Sequence, residues 1–171
     1  MPVKLKIIKS DSFKYKGIFD LNKLIELTDE FFDKRGYDTG NPIQIIRKDE
    51  KENGVFVMVL ELKLNDYFKI SGKLTFVYNV KKVKIKNEEN GEEFTLDEGD
   101  VNISMEFTME HDYNKKFDSY GIFSEVIRYF VENLFMKNVL DDAKKKVKED
   151  VEMYKQTLLN YFNLNAIDKV L

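Results

Sequence analysis

The sequence predicts an α+β protein in which a curved antiparallel β-sheet of about six strands wraps around a long C-terminal α-helix. Apolar residues recur at every second position through much of residues 3–113, as expected for strands with one buried face. One helical pattern interrupts them at residues 20–35. A second helical pattern covers about 120–162 and contains neither Pro nor Gly after Gly121.

Composition sets the class of protein. The chain has 171 residues, 43% hydrophobic and 35% charged, so we expect one domain, residues 1–171, with a sizeable core. A net charge of −3 argues against general nucleic-acid binding, which depends on neutralising phosphates. The absence of cysteine excludes disulfides, thiolate metal sites and thiol catalysis. No stretch of about eighteen apolar residues could span a bilayer, and no signal peptide is evident, so we expect no membrane span and a cytoplasmic location.

The first strand and helix have clear local signals. Val3, Leu5 and Ile7 alternate with lysines, which predicts a half-buried strand that ends at Gly17. A helix over roughly 20–35 follows, since Asp20 is a good N-cap and Gly36 stands where a helix-ending glycine belongs.

After Pro42 the apolar period changes from 3.6 to 2. We predict a strand over 43–50, a tight turn at Asn53-Gly54 and a long strand from Val55 to Leu64. A three-residue connection to the next strand matches apolar with apolar residues, pairing Leu62 with Ile70, Met58 with Leu74 and Phe56 with Phe76.

The remaining strands follow from the same alternation. Gly72, opposite Leu60, predicts a bend or bulge, and a change of phase predicts a bulge near Lys81-Lys82. Turns are predicted at Asn90-Gly91 and over 97–100. Residues 101–113 then alternate cleanly and indicate a central strand with one wet face.

The C-terminal helix changes character along its length. The segment Ile122–Phe135 is broadly hydrophobic and is predicted to lie in the concavity of the sheet. Beyond Leu140 the apolar stripe narrows to spacings of three and four, as in a coiled coil. About forty helical residues would extend roughly 60 Å, so the helix either bends near Lys137–Asp142 or projects.

Inward-facing Phe and Met residues are candidates for a hydrophobic ligand pocket, although such residues more often form the core itself. The candidates are Phe56, Met58, Phe76, Met105, Phe107, Phe123 and Phe130.

Three polar residues are candidates for the same cavity. With a turn at Asn53-Gly54, Arg47 and Asp49 face the interior, where they either form a salt bridge or hold a polar headgroup; alternatively this end of the hairpin extends into water. His111 is either a proton carrier in the cavity or a histidine at the edge of the core. One histidine without cysteines cannot build the common zinc sites, so we expect no metal and no other cofactor.

The order strand, helix, several antiparallel strands, long terminal helix resembles the START-like, polyketide-cyclase-like helix-grip superfamily. The resemblance rests on element order over most of the chain, so it implies a fold with a ligand cavity and no particular functional residues. This chain has one N-terminal helix where many members have two, and a longer terminal helix. Its Lys-, Glu- and Tyr-rich texture also resembles uncharacterised archaeal proteins.

Three hypotheses about function follow. The first is a non-catalytic binding module that holds a hydrophobic small molecule or lipid between the sheet and the C-terminal helix. The second is an assembly protein that forms a homo-oligomer or binds a protein partner through its distal helix, with Leu140, Val147, Val151, Tyr154 and Leu158 in the contact. The third is an enzyme with a carboxylate or histidine site in the cavity.

Overall fold

The computed structural model describes residues 3–40, 42–48, 52–86, 93–111, 123–131, 133 and 137–167. In chain order, the described elements are β1 (Val3–Phe19), α1 (Leu21–Asp33), β2 (Asp38–Thr39), β3 (Ile43–Lys48), β4 (Glu52–Lys63), β5 (Phe68–Lys86), β6 (Glu93–His111), α2 (Ser124–Phe130) and α3 (Lys137–Ile167). The α+β class that the sequence predicts, with a six-stranded antiparallel sheet, one helix after the first strand and a long C-terminal helix, is confirmed.

The sheet has the strand order β1-β6-β5-β4-β2, and β3 also pairs with β4. The two short strands occupy different stretches of β4, since Thr39 lies opposite Leu60 and Ile43 lies opposite Val57. β6 lies between β1 and β5, which confirms the predicted central strand. Every second residue from Val101 to His111 is buried on the face that carries α1 and α3, called here the inner face; the opposite face is the outer face.

The capping residues define α1 as predicted. The Asp20 carboxylate accepts hydrogen bonds from the backbone N–H groups of Asn22 and Lys23 at 3.0 and 3.1 Å. Gly36 has a φ of 85°, the left-handed conformation expected just beyond a helix end. The helix buries Leu24 and Phe32 against the sheet.

The predicted register between β4 and β5 is confirmed. Leu62 lies opposite Ile70, Met58 opposite Leu74 and Phe56 opposite Phe76, so apolar side chains meet on the inner face of this pair. Gly72 lies opposite Leu60 as expected, but the pairing continues through it without a register shift. The bend or bulge predicted there is therefore not seen; the position is filled instead by the ring of Phe107 on the neighbouring strand.

Two predicted turns are wrong, because their glycines serve close packing inside strands. Gly54 lies within β4 opposite Ile46, where a Cβ atom would collide with the ring of Tyr78. Gly99 lies within β6, where a Cβ atom would collide with the backbone of β5. As a consequence Arg47 lies opposite Asn53 rather than Leu60. The predicted Asn90-Gly91 turn lies outside the described residues.

The predicted bulge near Lys81-Lys82 is also wrong, since β5 pairs with β6 without interruption through this stretch. Lys82 therefore stays on the inner face, where its Nζ lies 2.6 Å from Oδ1 of Asp97. The buried Asp97 carboxylate also accepts a hydrogen bond from the backbone N–H of Leu21 at 3.1 Å. This contact fastens the start of α1 to the sheet.

The C-terminal region differs from the prediction in which part covers the sheet. Two helices are described in this region: α2 ends at Phe130 and α3 begins at Lys137, and residues 134–136 between them lie outside the described residues. Phe123 and Phe130 of the hydrophobic first part are 69% and 53% exposed, so the predicted position of this part in the concavity is wrong. The inner face is covered instead by α3, whose narrow apolar stripe is buried throughout. That stripe consists of Ala143, Val147, Val151, Tyr154, Leu158 and Phe162.

The physical reason is complementarity rather than total hydrophobicity. The ring of Phe162 stacks on that of Tyr15 at a centroid distance of 3.9 Å and meets Phe19 edge-on at 5.9 Å. The hydroxyl groups of Tyr154 and Thr28 of α1 lie 2.7 Å apart. α3 therefore offers large rings in a narrow row and also satisfies its buried polar atoms.

Candidate ligand groove

The candidate pocket residues on the strands belong to the packed core. Phe56, Phe76 and Phe107 are buried on the inner face, as are Met58 and Met105. The rings of Phe56 and Phe76 meet edge-on at 5.6 Å. The ring of Phe107 lies 6.2 Å from each of two rings at the end of α1, Phe32 and Tyr37. These residues fill one another's space, and the two pockets described below lie on the outer face instead.

The candidate polar residues do not form one site. Arg47 lies across the sheet from Asp100 through the pairs formed by Asn53 and Asn79, whereas His111 lies at the other end of β6. Eleven residues of strand separate these two ends, or roughly 36 Å. Asp49 lies outside the described residues.

The ring of His111 is buried in an aromatic setting. It meets the ring of Phe68 edge-on at 5.1 Å, and the ring of Tyr67 lies 6.5 Å away. This position agrees with the interpretation of a histidine at the edge of the core. Among the described residues, no group of three or more His, Asp or Glu side chains is placed to hold a metal ion.

The distal-helix residues predicted to contact a partner are occupied within the chain. Val147, Val151, Tyr154 and Leu158 are all buried in the common core, and Leu140 packs against it while remaining half-buried. The predicted contact surface is thus the surface that α3 turns toward its own sheet and α1. The sequence pattern is right about an apolar stripe but does not reveal which surface covers it.

A buried ionic cluster fixes the end of α1 to α3. The carboxylate of Asp150, 2% exposed, accepts hydrogen bonds from Arg35 Nη1, the Tyr37 hydroxyl and Lys146 Nζ at 2.9, 2.9 and 2.8 Å. Burial, followed by the nearby Asp150 charge, raises the pKa of Tyr37. Three donors satisfy this buried carboxylate, so the cluster serves as a structural connection between the two helices.

A groove of about 710 Å³ lies on the outer face, away from both α1 and α3. It crosses the sheet at the end where β1, β6, β5, β4 and β3 lie side by side. Three-residue stretches of four strands line it, namely 14–16, 100–102, 77–79 and 53–55, and Ile45 of β3 closes one side. The middle residue of each stretch faces the core, so the flanking residues supply the side chains of the groove.

The groove combines an apolar floor with a polar margin. Val55, Val77 and Ile45 supply apolar surface, and Val77 is 46% exposed. Lys14 and Lys16 lie on β1 at one side; within the described part of the chain only Lys16 has an acidic neighbour, with its Nζ 3.8 Å from Oδ1 of Asp100.

Three amides add hydrogen-bonding capacity to the groove, from Asn53, Asn79 and Asn102. The Oδ1 atom of Asn102 is buried and has no hydrogen-bond partner among the described residues. A buried amide oxygen without a donor is uncommon and costs free energy, which a donor on a bound molecule would recover.

A second, smaller pocket of about 290 Å³ lies on the same outer face. Val59, Ser71, Lys73, Glu106 and Thr108 contribute to it. Sequence reasoning missed both pockets, because it assigned the outward residues to a wet face and looked for ligands only among the inward ones. The available signal was the run of valines at 55, 57 and 59, which places apolar residues on a face expected to be polar.

The short helix α2 presents a separate apolar surface. Phe123, Val126, Tyr129 and Phe130 are each more than half exposed, so three aromatic rings within eight residues lie in contact with solvent. No helix within the described part of the chain is long and apolar enough to cross a membrane. In comparisons with known proteins, no family model, no curated protein and no solved structure matches this chain.

Proposed function

We propose that the protein is a non-catalytic binding module and that its ligand is an amphiphile, with an apolar body and an anionic end, bound in the outer-face groove. The observation that carries the proposal is the exposure of valine and isoleucine side chains on the floor of a sheet-wide concavity that has lysines on one side. A volume of about 710 Å³ falls within the usual range for small-molecule sites.

Each part of such a ligand has a counterpart. The apolar body would cover Val55, Val77 and Ile45, which the fold leaves in water at a cost of roughly 25 cal/mol for each Å². The anionic end would meet Lys14, whose ammonium group has no acidic neighbour among the described residues. A hydroxyl or amide group near the head would donate to Oδ1 of Asn102.

This proposal keeps the ligand class expected from the sequence and moves its site. The inner face is occupied by α1 and α3, so the surface between sheet and helix serves stability. The resemblance to helix-grip proteins stays a prediction, as does the hypothesis of an enzyme. Binding without catalysis is the simpler function, since the groove brings together lysines, amides and one aspartate but no arrangement of nucleophile and base.

A titration with dodecanoate, compared with dodecanol, tests the proposal. We expect dodecanoate to shift backbone amide NMR signals of residues 14–16, 53–55, 77–79 and 100–102, and to bind about tenfold more tightly than the alcohol because only the acid carries a charge. Val77→Glu should abolish the shifts by placing a negative charge on the floor of the groove. Val59→Glu is the matched control, because Val59 is also an exposed outward valine but lies outside this groove.

Two results would refute the groove as the site. One is the absence of shifts at millimolar dodecanoate. The other is a set of shifts centred on inner-face residues such as Phe76, which would instead support the cavity predicted from the sequence.

A second candidate function is attachment to a protein partner through α2. The exposed surface of Phe123, Val126, Tyr129 and Phe130 favours it, because aromatic residues dominate the energetics of protein interfaces. A photo-crosslinking residue at Phe123 should then give a discrete higher-mass product in cells, whereas one at Met153, an exposed residue of α3, should not. Equal labelling at both positions would count against this function.

A further inference from the structure

The two edges of the sheet differ in how they are protected from other strands. β1, at one edge, carries five exposed lysines, Lys4, Lys6, Lys9, Lys14 and Lys16. Its pairing with β6 shifts register twice, between Lys6 and Asp11. α3 also packs along β1, where the rings of Phe13 and Phe162 stack at 5.6 Å. Lysines, irregular pairing and a covering helix are the usual means of preventing a strand from pairing with another molecule.

The opposite edge, along β3, has neither a bulge nor lysines spread along its length, because its two basic residues lie together at one end, at positions 47 and 48. β3 pairs with β4 in regular register over all six of its residues, without a bulge. Among the described residues no strand pairs with its other side. Ile43 and Ile45 on the outer face are 60% and 62% exposed, and Ile46 on the inner side is 40% exposed. An exposed, regular, β-branched edge strand is a template for strand addition.

We propose that β3 pairs with β3 of a second copy of this chain, antiparallel and about a two-fold axis at Ile45, so that two sheets join into one. The inference concerns the free edge of β3, which shares only Ile45 with the lining of the ligand groove, and it does not depend on the proposed ligand.

The chain's own sequence favours a second copy as the occupant. An axis at Ile45 sets Ile45 opposite its own counterpart and position 43 opposite position 47, so residues of the same parity meet and both outer faces lie on one side. The β-branched pair that Ile45 forms with its counterpart stabilises a sheet. The basic residues of the strand, at 47 and 48, then lie at opposite ends of the pair, whereas a parallel arrangement would bring all four together.

The neighbouring surface supports the same arrangement. Val57 lies directly opposite Ile43 in the sheet, and Val55 lies opposite Ile45. Pairing two copies would therefore place four short rows of β-branched side chains side by side on the outer face. A six-residue strand pair is small for an interface, so we expect a reversible dimer with a dissociation constant in about the micromolar range.

Sedimentation equilibrium over roughly 1–500 µM, on protein freed of small molecules, tests the proposal. The wild type should pass from monomer to dimer with concentration. Ile43→Lys should weaken the dimer at least tenfold, since it places an ammonium group in the new interface. Leu159→Lys, on an exposed position of α3, should leave the dimer unchanged. Ile43 is largely exposed and does not line the groove, so a weaker dimer of Ile43→Lys would result neither from misfolding nor from loss of a ligand. An unchanged thermal unfolding midpoint of this variant would confirm that it folds normally.

Crosslinking supplies a second and independent measurement. The chain has no cysteine, so Ile45→Cys introduces a single thiol at the proposed axis. Opposed residues in an antiparallel pair have Cα atoms about 4.5–5.5 Å apart, within disulfide range. Mild oxidation should link Ile45→Cys into a dimer and leave Leu159→Cys monomeric. A wild type that remains monomeric throughout, a dimer that persists in Ile43→Lys, or equal crosslinking at both positions would each overturn the proposal.

Discussion

The inner and outer faces of the sheet are built by alternate residues of the same strands, yet they have opposite properties. On β5, Phe76 is fully buried beneath the helices, and its neighbour Val77 is nearly half exposed in the groove. The backbone is shared, so the difference lies in what covers each face. α1 and α3 make the inner face the source of stability, whereas the outer-face residues of the groove stay exposed, so we expect their replacement to affect folding little. Five experiments test this division, in order of decreasing expected effect.

The sharpest contrast is between neighbours on one strand. We expect Phe76→Ala to lower the free energy of unfolding by about 3–5 kcal/mol, because it leaves a cavity in the core. Val77→Ala should change it by less than about 0.5 kcal/mol, since the side chain is already in water. Urea unfolding of both variants provides the measurement. Similar losses would show that the outer face is covered in solution, which would contradict the division.

The ionic cluster tests how firmly α3 holds the inner face. Asp150→Ala should lower the free energy of unfolding by about 3 kcal/mol, because Arg35 and Lys146 lose a buried carboxylate partner. Glu149→Ala is the control: its pair with Lys145 is exposed, so the loss should stay below about 0.5 kcal/mol. Chemical unfolding would measure both, and equal values would mean that the cluster adds nothing beyond a surface ion pair.

A glycine tests the spacing of the strands themselves. Gly99→Ala should destabilise the protein by about 1–3 kcal/mol, because the new methyl group collides with the backbone carbonyl of Asn79 and cannot rotate away. Gly40→Ala should be nearly neutral, since its nearest contact, the carbonyl oxygen of Val59, would be at an ordinary 3.7 Å. Thermal unfolding midpoints are sufficient, and a harmless Gly99→Ala would show that β5 and β6 separate easily.

Alkaline pH should destabilise the protein through two tyrosines buried on the inner face. Burial raises the pKa of both Tyr37 and Tyr154, so the folded state keeps phenolic protons that the unfolded chain releases near the usual value of 10.0. The contribution of these two tyrosines to stability should therefore be constant below about pH 10 and fall as pH rises further. In urea unfolding between about pH 9 and 11, Tyr154→Phe should show a shallower decline than the wild type. Identical slopes would mean that Tyr154 is open to water.

Acidic pH should destabilise the protein through Glu110 on the outer face, and this effect should be smaller than that of alkaline pH. A hydrogen bond from Lys4 at 2.7 Å is the largest cause that lowers the pKa of Glu110, and Lys69 at 3.4 Å adds to it against the effect of burial. The folded state then holds fewer protons than the unfolded chain, so this contribution is present above the usual value of 4.5 and is lost as pH falls through the lowered pKa. In Glu110→Gln, the free energy of unfolding should fall less steeply as pH is lowered, and the difference from the wild type should be below about 1 kcal/mol. If the dependence of stability on pH is the same in Glu110→Gln and the wild type, the ion pairs of Glu110 with Lys4 and Lys69 are not formed in solution.

Local patterns account for what the sequence predicted well. The register of β4 with β5 follows from matching Leu62 with Ile70, because every one-residue slip would expose apolar side chains. The ends of α1 follow from Asp20 and Gly36 in the same way. The glycines at 54 and 99 misled the prediction, since a glycine that admits a neighbour and a glycine that forms a turn look alike in a sequence.

The candidate site was the least predictable part. An inward Phe could line a cavity or fill it, and only the rings of Phe32 and Tyr37 beside Phe107 decide the matter. The outer groove depends on the side-by-side arrangement of five strands that are far apart in the chain, from Lys14 to Asn102.

The sequence by itself determined the class of fold, the inward faces of β4 and β6 and the apolar stripe of α3, because these depend on periodicities of two and 3.6 residues. The tertiary structure alone decided that α3 rather than the more hydrophobic segment containing Phe123 covers the sheet. It also decided that Ile45 closes a groove at an open edge. Which helix covers the sheet depends on the fit between surfaces that are distant in the chain. Hydrophobic attraction has no direction, so close packing and satisfied polar groups select one helix over another.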